Sequence, residues 1–161
     1  VSALLGEKPL VLSGRQNTFK PGKDTGRYWE AGAGNVHWVI GTSEQIEEGL
    51  KIALDRIVGQ GALIEGTSFL KCLDVDYSIM VFNPSAREMK SSAVGVLPKV
   101  NALFIPLPEY NPAALRDLRD KLRRRGFSSD GPPAYFWSDL DSIVEHILGI
   151  NRSRTLQPAP D

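Results

Sequence analysis

The 161 residues carry 19 basic and 19 acidic side chains, a formal charge of zero and 42% hydrophobic residues. That length suits one domain with a core of its own, and the balanced charge excludes a protein that attracts nucleic acid through a global positive field. The single Cys72 excludes a disulfide framework and a four-cysteine zinc site, and fits a reducing, cytoplasmic compartment.

No apolar run approaches the roughly 18 residues of a membrane span, and residues 1–15 lack the arrangement of a signal peptide. No membrane contact is therefore expected. The chain begins at Val1, which suggests a processed start or a missing upstream segment. In chain order, residues 9–13 predict a first strand, with Pro9 confined to its start or edge. Residues 14–35 are polar and rich in Gly, Lys and Arg, and predict a long loop or a loop with a short helix over 25–31. Residues 36–40 predict a β-branched, aromatic strand.

Thr42 and Gln45 stand at capping-box spacing. Behind them Ile46, Leu50, Leu54 and Ile57 recur at helical intervals, and Gly59 and Gly61 supply a stop. Strands are predicted over 62–65 and 77–82, a short helix over 86–91, and a strand over 102–105. Pro112 opens a second amphipathic helix, marked by Leu115, Leu118 and Leu122 and ended by Gly126. A strand over 134–137 follows. Ser138 and Asp141 give a second capping-box match ahead of a final helix carrying Leu140, Ile143, Val144, Ile147 and Leu148. Residues 151–161 read as a polar, Pro-containing tail with no need of order. Strands that alternate with helices and run as continuous apolar stretches predict an α/β fold with an open, mainly parallel, doubly wound sheet.

In such a sheet, ligands gather beyond the carboxyl ends of the strands. Glu65, followed by Gly66, Thr67 and Ser68, ends the predicted strand 62–65. It is either the carboxylate that holds a magnesium ion through water, which one hard oxygen ligand plus phosphate oxygens can do, or an ordinary solvated strand end. The loop 20–27 offers Lys20, Lys23, Arg27, Asp24, Thr25 and two glycines. It can meet phosphates through charge and backbone N–H groups, or be charged only because it is wet. Asn83, ahead of Pro84, can read a purine edge or simply start a turn.

The helix 112–125 has an excess of basic residues, which suits an acidic partner or a solvated face that complements the helix dipole. His37, His146 and Cys72 have no spacing that predicts a metal site or a nucleophile. Ser68 lacks the second flanking Gly of a nucleophile elbow. No stretch matches the Walker A pattern.

The run Lys20-Pro21-Gly22-Lys23-Asp24-Thr25-Gly26-Arg27, continuing through Glu30-Ala31-Gly32-Ala33 into Val36, resembles the segment after the second strand of the MobB family. These are P-loop GTP-binding proteins of molybdopterin-guanine dinucleotide biosynthesis. Ala62-Leu63-Ile64-Glu65-Gly66 is similar to that family's strand ending in Glu-Gly, and residues 133–139 are similar to its C-terminal close. Dethiobiotin synthetases and related P-loop kinases share the strand-Glu-Gly element. The family's Lys-His-Asp-like run is replaced here by Ser13-Gly14-Arg15-Gln16-Asn17.

The resemblance implies a nucleotide-binding domain over residues 1–150, with its phosphate loop encoded upstream of Val1. It implies Mg²⁺ with GTP or ATP, Glu65 at the magnesium-associated position, and Asp24 and Thr25 facing the phosphates with Lys23 and Arg27 beside them. Gly66 is expected among the cofactor-binding residues, together with Asn83 on the strength of its carboxamide. Slow hydrolysis or phosphoryl transfer would be the activity. The implied partners are the nucleotide, a cofactor-biosynthesis protein and a second copy of the chain. Two other readings stand beside it. One is a degenerate domain that acts as a binding or assembly module through the basic helix and Tyr135, Phe136 and Trp137. The other is a flavodoxin-like domain for a different phosphate ligand.

Overall fold

A computed structural model describes residues 6–85, 89–128 and 131–155. The protein is α/β, and it divides into two compact units, residues 1–73 and 74–161. No helix among the described residues is long and apolar enough to cross a membrane.

In the first unit, β1 (Leu10–Ser13) pairs with β2 (His37–Ile40), in the register Leu10↔Ile40 to Ser13↔His37. The pairing is antiparallel, against the expectation of a parallel sheet. The loop and two short helices between these strands, α1 (Arg15–Thr18) and α2 (Asp24–Glu30), turn the chain back rather than carry it across the sheet. The helix α3 (Ile46–Leu54) packs on both strands.

The predicted stripe of α3 is rotated. Leu50 is buried, but Gly49 and Ala53 are the other buried residues, while Ile46 and Leu54 are half-buried. Small residues let the helix approach closely: a Cβ on Gly49 would lie 2.5 Å from Val39 Cγ1. The Gln45 side chain accepts from the Thr42 N–H at 3.0 Å, which is the Gln half of the expected capping box.

Residues 62–65 do not form a strand. Leu63 is 82% exposed, so the short apolar run finds no neighbour to bury it, and a strand without a ladder partner has no stability. A 3₁₀ turn follows, Ser68–Lys71, and buries Phe69 and Leu70.

The second unit is a three-stranded parallel sheet in the order β3 (Ile79–Val81), β4 (Ala102–Phe104), β5 (Ala134–Tyr135). The central strand β4 is buried along its length, with Ala102 and Leu103 at 0% exposure. Between β3 and β4 lies α4 (Ser91–Val94), at the end of the predicted helix 86–91, of which residues 86–88 lie outside the described residues.

Between β4 and β5 runs α5 (Pro112–Arg123), where Asn111 Oδ1 accepts the Ala114 N–H at 2.9 Å and Pro112 occupies the first turn. Its Leu118 and Leu122 are among the most buried side chains of the unit. The last helix, α6 (Leu140–Thr155), extends into the segment read as a tail. Its approach is capped by Asp139, whose Oδ2 accepts the Phe136 N–H at 2.8 Å, rather than by Ser138 and Asp141.

Candidate functional site

The local structure of residues 14–30 is set by one hydroxyl. Thr18, 1% exposed, donates through Oγ1 to the Gly14 carbonyl at 2.8 Å and accepts Trp29 Nε1–H at 2.9 Å. This ties α1 to α2. The turn at 20–23 then folds back onto α2 so tightly that a Cβ on Gly26 would sit 2.2 Å from the Lys20 carbonyl oxygen. Only glycine fits there. The close turn puts Lys23 at the cap and Asp24 and Thr25 in the first turn of α2, with Arg27 one turn on.

Lys23, Asp24 and Arg27 are exposed, and Arg27 Nη1 reaches Asp24 Oδ1 at 3.5 Å. An exposed pair of this kind contributes little to stability and leaves both groups open to a ligand. From the same helix, Tyr28 Oη donates to Glu65 Oε2 at 2.6 Å. Burial, then the bond to Glu65 and the charges of Glu65 and Asp24, push the Tyr28 phenol up to about 12, so it stays a donor across the physiological range. Thus Glu65, although not on a strand, stands against the helix that carries Asp24, Thr25 and Arg27. Gly66 beside it takes φ +134°, a backbone suited to glycine.

Asn83 belongs to the second unit, just after β3. Its Oδ1 accepts the Ser85 N–H at 2.9 Å, the geometry of a side-chain-capped turn. On α5, Lys121 pairs with Asp117 at 2.7 Å and Arg123 with Asp120 at 2.8 Å, while Arg119, Arg124 and Arg125 donate to backbone carbonyls. Much of the basic excess is engaged within the unit. Phe136 is a core residue at 1% exposure, and of the three aromatics read as contact surface only Trp137 is more than half exposed.

One cluster escaped the sequence. Ser13 and His37 are cross-strand partners at the end of the β1–β2 ladder, with Ser13 Oγ 2.9 Å from His37 Nδ1. Arg56 Nη1 donates to the same Oγ at 2.9 Å. A hydroxyl that accepts from Arg56 still has its own proton to give, and Nδ1 of a neutral imidazole takes it. Burial, and then the Arg56 cation, hold His37 below its ordinary value, which keeps the ring neutral. Its Nε2 is buried without a hydrogen-bond partner. The three residues lie far apart in sequence: the strand register joins Ser13 to His37, and the packing of α3 on the two strands brings Arg56, just beyond its end, to the same hydroxyl.

Among the described residues no group of three His, Cys, Asp or Glu side chains stands close enough to hold a metal ion. One exposed carboxylate, with one oxygen engaged by Tyr28, fits magnesium only where phosphate and water supply most of the ion's shell. No family model, curated protein or solved structure matches the chain.

Proposed function

We propose that the chain is a nucleotide-binding protein of the MobB-like, P-loop type, whose N-terminal unit meets the phosphates of magnesium–GTP or magnesium–ATP at residues 20–27 and Glu65. The observation that carries this reading is the 2.6 Å bond from Tyr28 to Glu65, which joins the Glu-Gly element to the helix of Asp24, Thr25 and Arg27. In this reading Lys23 and Arg27 supply charge-assisted bonds to phosphate oxygens, and Thr25 adds a hydroxyl. Glu65 holds the ion through water, beside Gly66, and Asp24 orients the attacking water. Bound magnesium would neutralise phosphate charge.

Hydrolysis would be slow, because these 161 residues contain no Walker A stretch to stabilise the transferring phosphoryl group. The same reading takes the parallel β3-β4-β5 sheet and its helical crossovers as part of an open, doubly wound P-loop-type sheet. The role that goes with it is molybdenum-cofactor maturation beside a cofactor-biosynthesis protein.

Calorimetric titration of the chain with magnesium–GTP and magnesium–ATP tests the proposal. Saturable heat is expected with at least one of them. Loss of one charge-assisted bond in Arg27→Ala should weaken binding about tenfold or more, and Glu65→Gln should remove the dependence on magnesium. Absence of heat with both nucleotides would favour the second reading, a non-catalytic binding module. That reading is favoured by the apolar side chains that α6 and Trp137 leave in solvent.

A further inference from the structure

The two faces of the β1–β2 ladder have different surroundings. Helix α3 lies on the face of Val39, whose Cγ1 is 2.5 Å from where a Cβ on Gly49 would stand. Side chains alternate along a strand, so Trp38 and its cross-strand partner Leu12 point to the opposite face, together with Leu10 and Ile40. On that face Leu10 is 46% exposed and Trp38 41%. Lys20 Nζ stands over the Trp38 ring, 5.3 Å from its centroid. The other described Phe, Tyr and Trp rings of the unit are more enclosed. Phe19 and Trp29 lie under Arg15, Tyr28 is bound to Glu65, and Phe69 is buried.

Lys20 belongs to the phosphate-facing turn as well. Its carbonyl accepts the Lys23 N–H at 3.1 Å, which sets its backbone beside the start of α2 and Asp24. A lysine ammonium on its flexible stem can therefore serve either the indole or an anion at that turn. Resting on the nucleotide reading above, we propose that Trp38 is the platform for the nucleotide base: the base stacks on the indole face that Lys20 covers in the free protein, and the displaced ammonium turns to the phosphates.

The relative magnitudes favour this exchange. A cation over an exposed ring contributes about two- to fivefold in affinity, whereas a base stacked on an aromatic side chain contributes roughly five- to a hundredfold. The ammonium gains a charge-assisted bond to a phosphate oxygen in return for the ring. Stacking needs a π face rather than a particular base edge, so the platform suits purine nucleotides as a class, and GTP and ATP should bind within about tenfold of each other.

Calorimetric titration of the full chain with magnesium–GTP, magnesium–ATP and magnesium tripolyphosphate tests the platform, with guanosine followed by quenching of tryptophan emission. Both nucleotides should bind more tightly than tripolyphosphate. Trp38→Leu should weaken both nucleotides about tenfold or more, without weakening tripolyphosphate and with the circular dichroism unchanged. Trp38→Phe, which keeps a ring, should recover most of that loss. Lys20→Ala separates the two roles of the ammonium: guanosine should bind about two- to fivefold more tightly, and the nucleotides more weakly. Nucleotide binding that is indifferent to Trp38→Leu, or no tighter than that of tripolyphosphate, overturns the platform and leaves the phosphate site standing. So does a Trp38→Leu variant that loses tripolyphosphate as much as nucleotide. Guanosine binding weakened by Lys20→Ala overturns the exchange. Absence of binding by both nucleotides and by tripolyphosphate overturns the nucleotide reading itself, and this inference with it.

Discussion

The two units solve the problem of holding a chain in place by different means. The C-terminal unit does so by burial: Leu103, Ile105, Leu118, Leu122 and Phe136 are all at or below 1% exposure around a parallel sheet. In the N-terminal unit the buried apolar residues, Leu70, Val36, Ala53, Leu50 and Phe69, stay at 5–9%, and its two strands are largely half-buried. Polar side chains make up the difference. Thr18 ties α1 to α2, Ser13 ties β1 to β2, and Tyr28 ties α2 to Glu65. Burial is non-directional and only needs the right volume. Hydrogen bonds fix positions, and the unit that depends on them is the one that carries the proposed nucleotide site.

The sharpest break of this comparison is a cavity in the C-terminal core. Leu118→Ala, at a position with 0% exposure, should cost about 3–4 kcal/mol, from lost transfer energy plus the void left behind. Amide hydrogen exchange in α5 and β4 measures it, and a loss under about 1 kcal/mol would mean that the core relaxes into the space. In the N-terminal unit the largest effect comes from a backbone contact instead. Gly26→Ala must push the new Cβ away from the Lys20 carbonyl, at a cost of about 2–3 kcal/mol, and should reduce protection in α2.

Thr18→Val keeps the shape and removes the hydroxyl, so it strands the Trp29 N–H, while the Gly14 carbonyl keeps the backbone N–H groups of Asn17 and Thr18. A loss of about 1–2 kcal/mol is expected, with the Trp29 fluorescence shifted because its indole N–H has no acceptor. An unchanged midpoint and spectrum in Thr18→Val would remove the claim that polar bonds hold this unit.

The same contrast explains what the sequence could and could not reveal. Periodicity reports burial, and in the C-terminal unit it led to the strands around 79–81, 102–104 and 134–135 and to α5 through Leu115, Leu118 and Leu122. It misplaced the strand at 62–65, because an apolar triplet carries no information about whether a partner strand is at hand. It could not give the direction of β1 against β2, since that depends on how the 14–35 segment turns, through Gly26 and Thr18, and not on the strands themselves.

Asp24, Thr25 and Arg27 were visible as a charged loop next to a helix start, and Glu65 as an acidic residue before glycine. Tyr28, which connects them, was not, because a tyrosine on a short helix gives no signal of what its hydroxyl touches. Ser13, His37 and Arg56 were invisible for the same reason.

The smallest expected effect tests that last cluster. A histidine whose folded value is lowered binds its proton more weakly folded than unfolded, so the unfolded chain takes up protons first as the pH falls. The contribution of His37 is therefore fully present above about 6.5, the ordinary imidazole value, and is lost as the pH drops from there toward the folded value. Protonation removes the Nδ1 lone pair that Ser13 uses and places a second cation beside Arg56, so the bond and the charge act in the same direction.

The imidazole proton resonances of His37 should titrate with a midpoint below the ordinary value, and urea midpoints of the N-terminal unit should decline between neutral and mildly acidic pH. His37→Gln should flatten that decline, because the amide does not titrate. Parallel pH profiles for the two proteins, or a His37 midpoint at or above the ordinary value, would show that the end of the β1–β2 ladder is held by its backbone pairing alone, and the polar account of this unit would then rest on Thr18 and Tyr28.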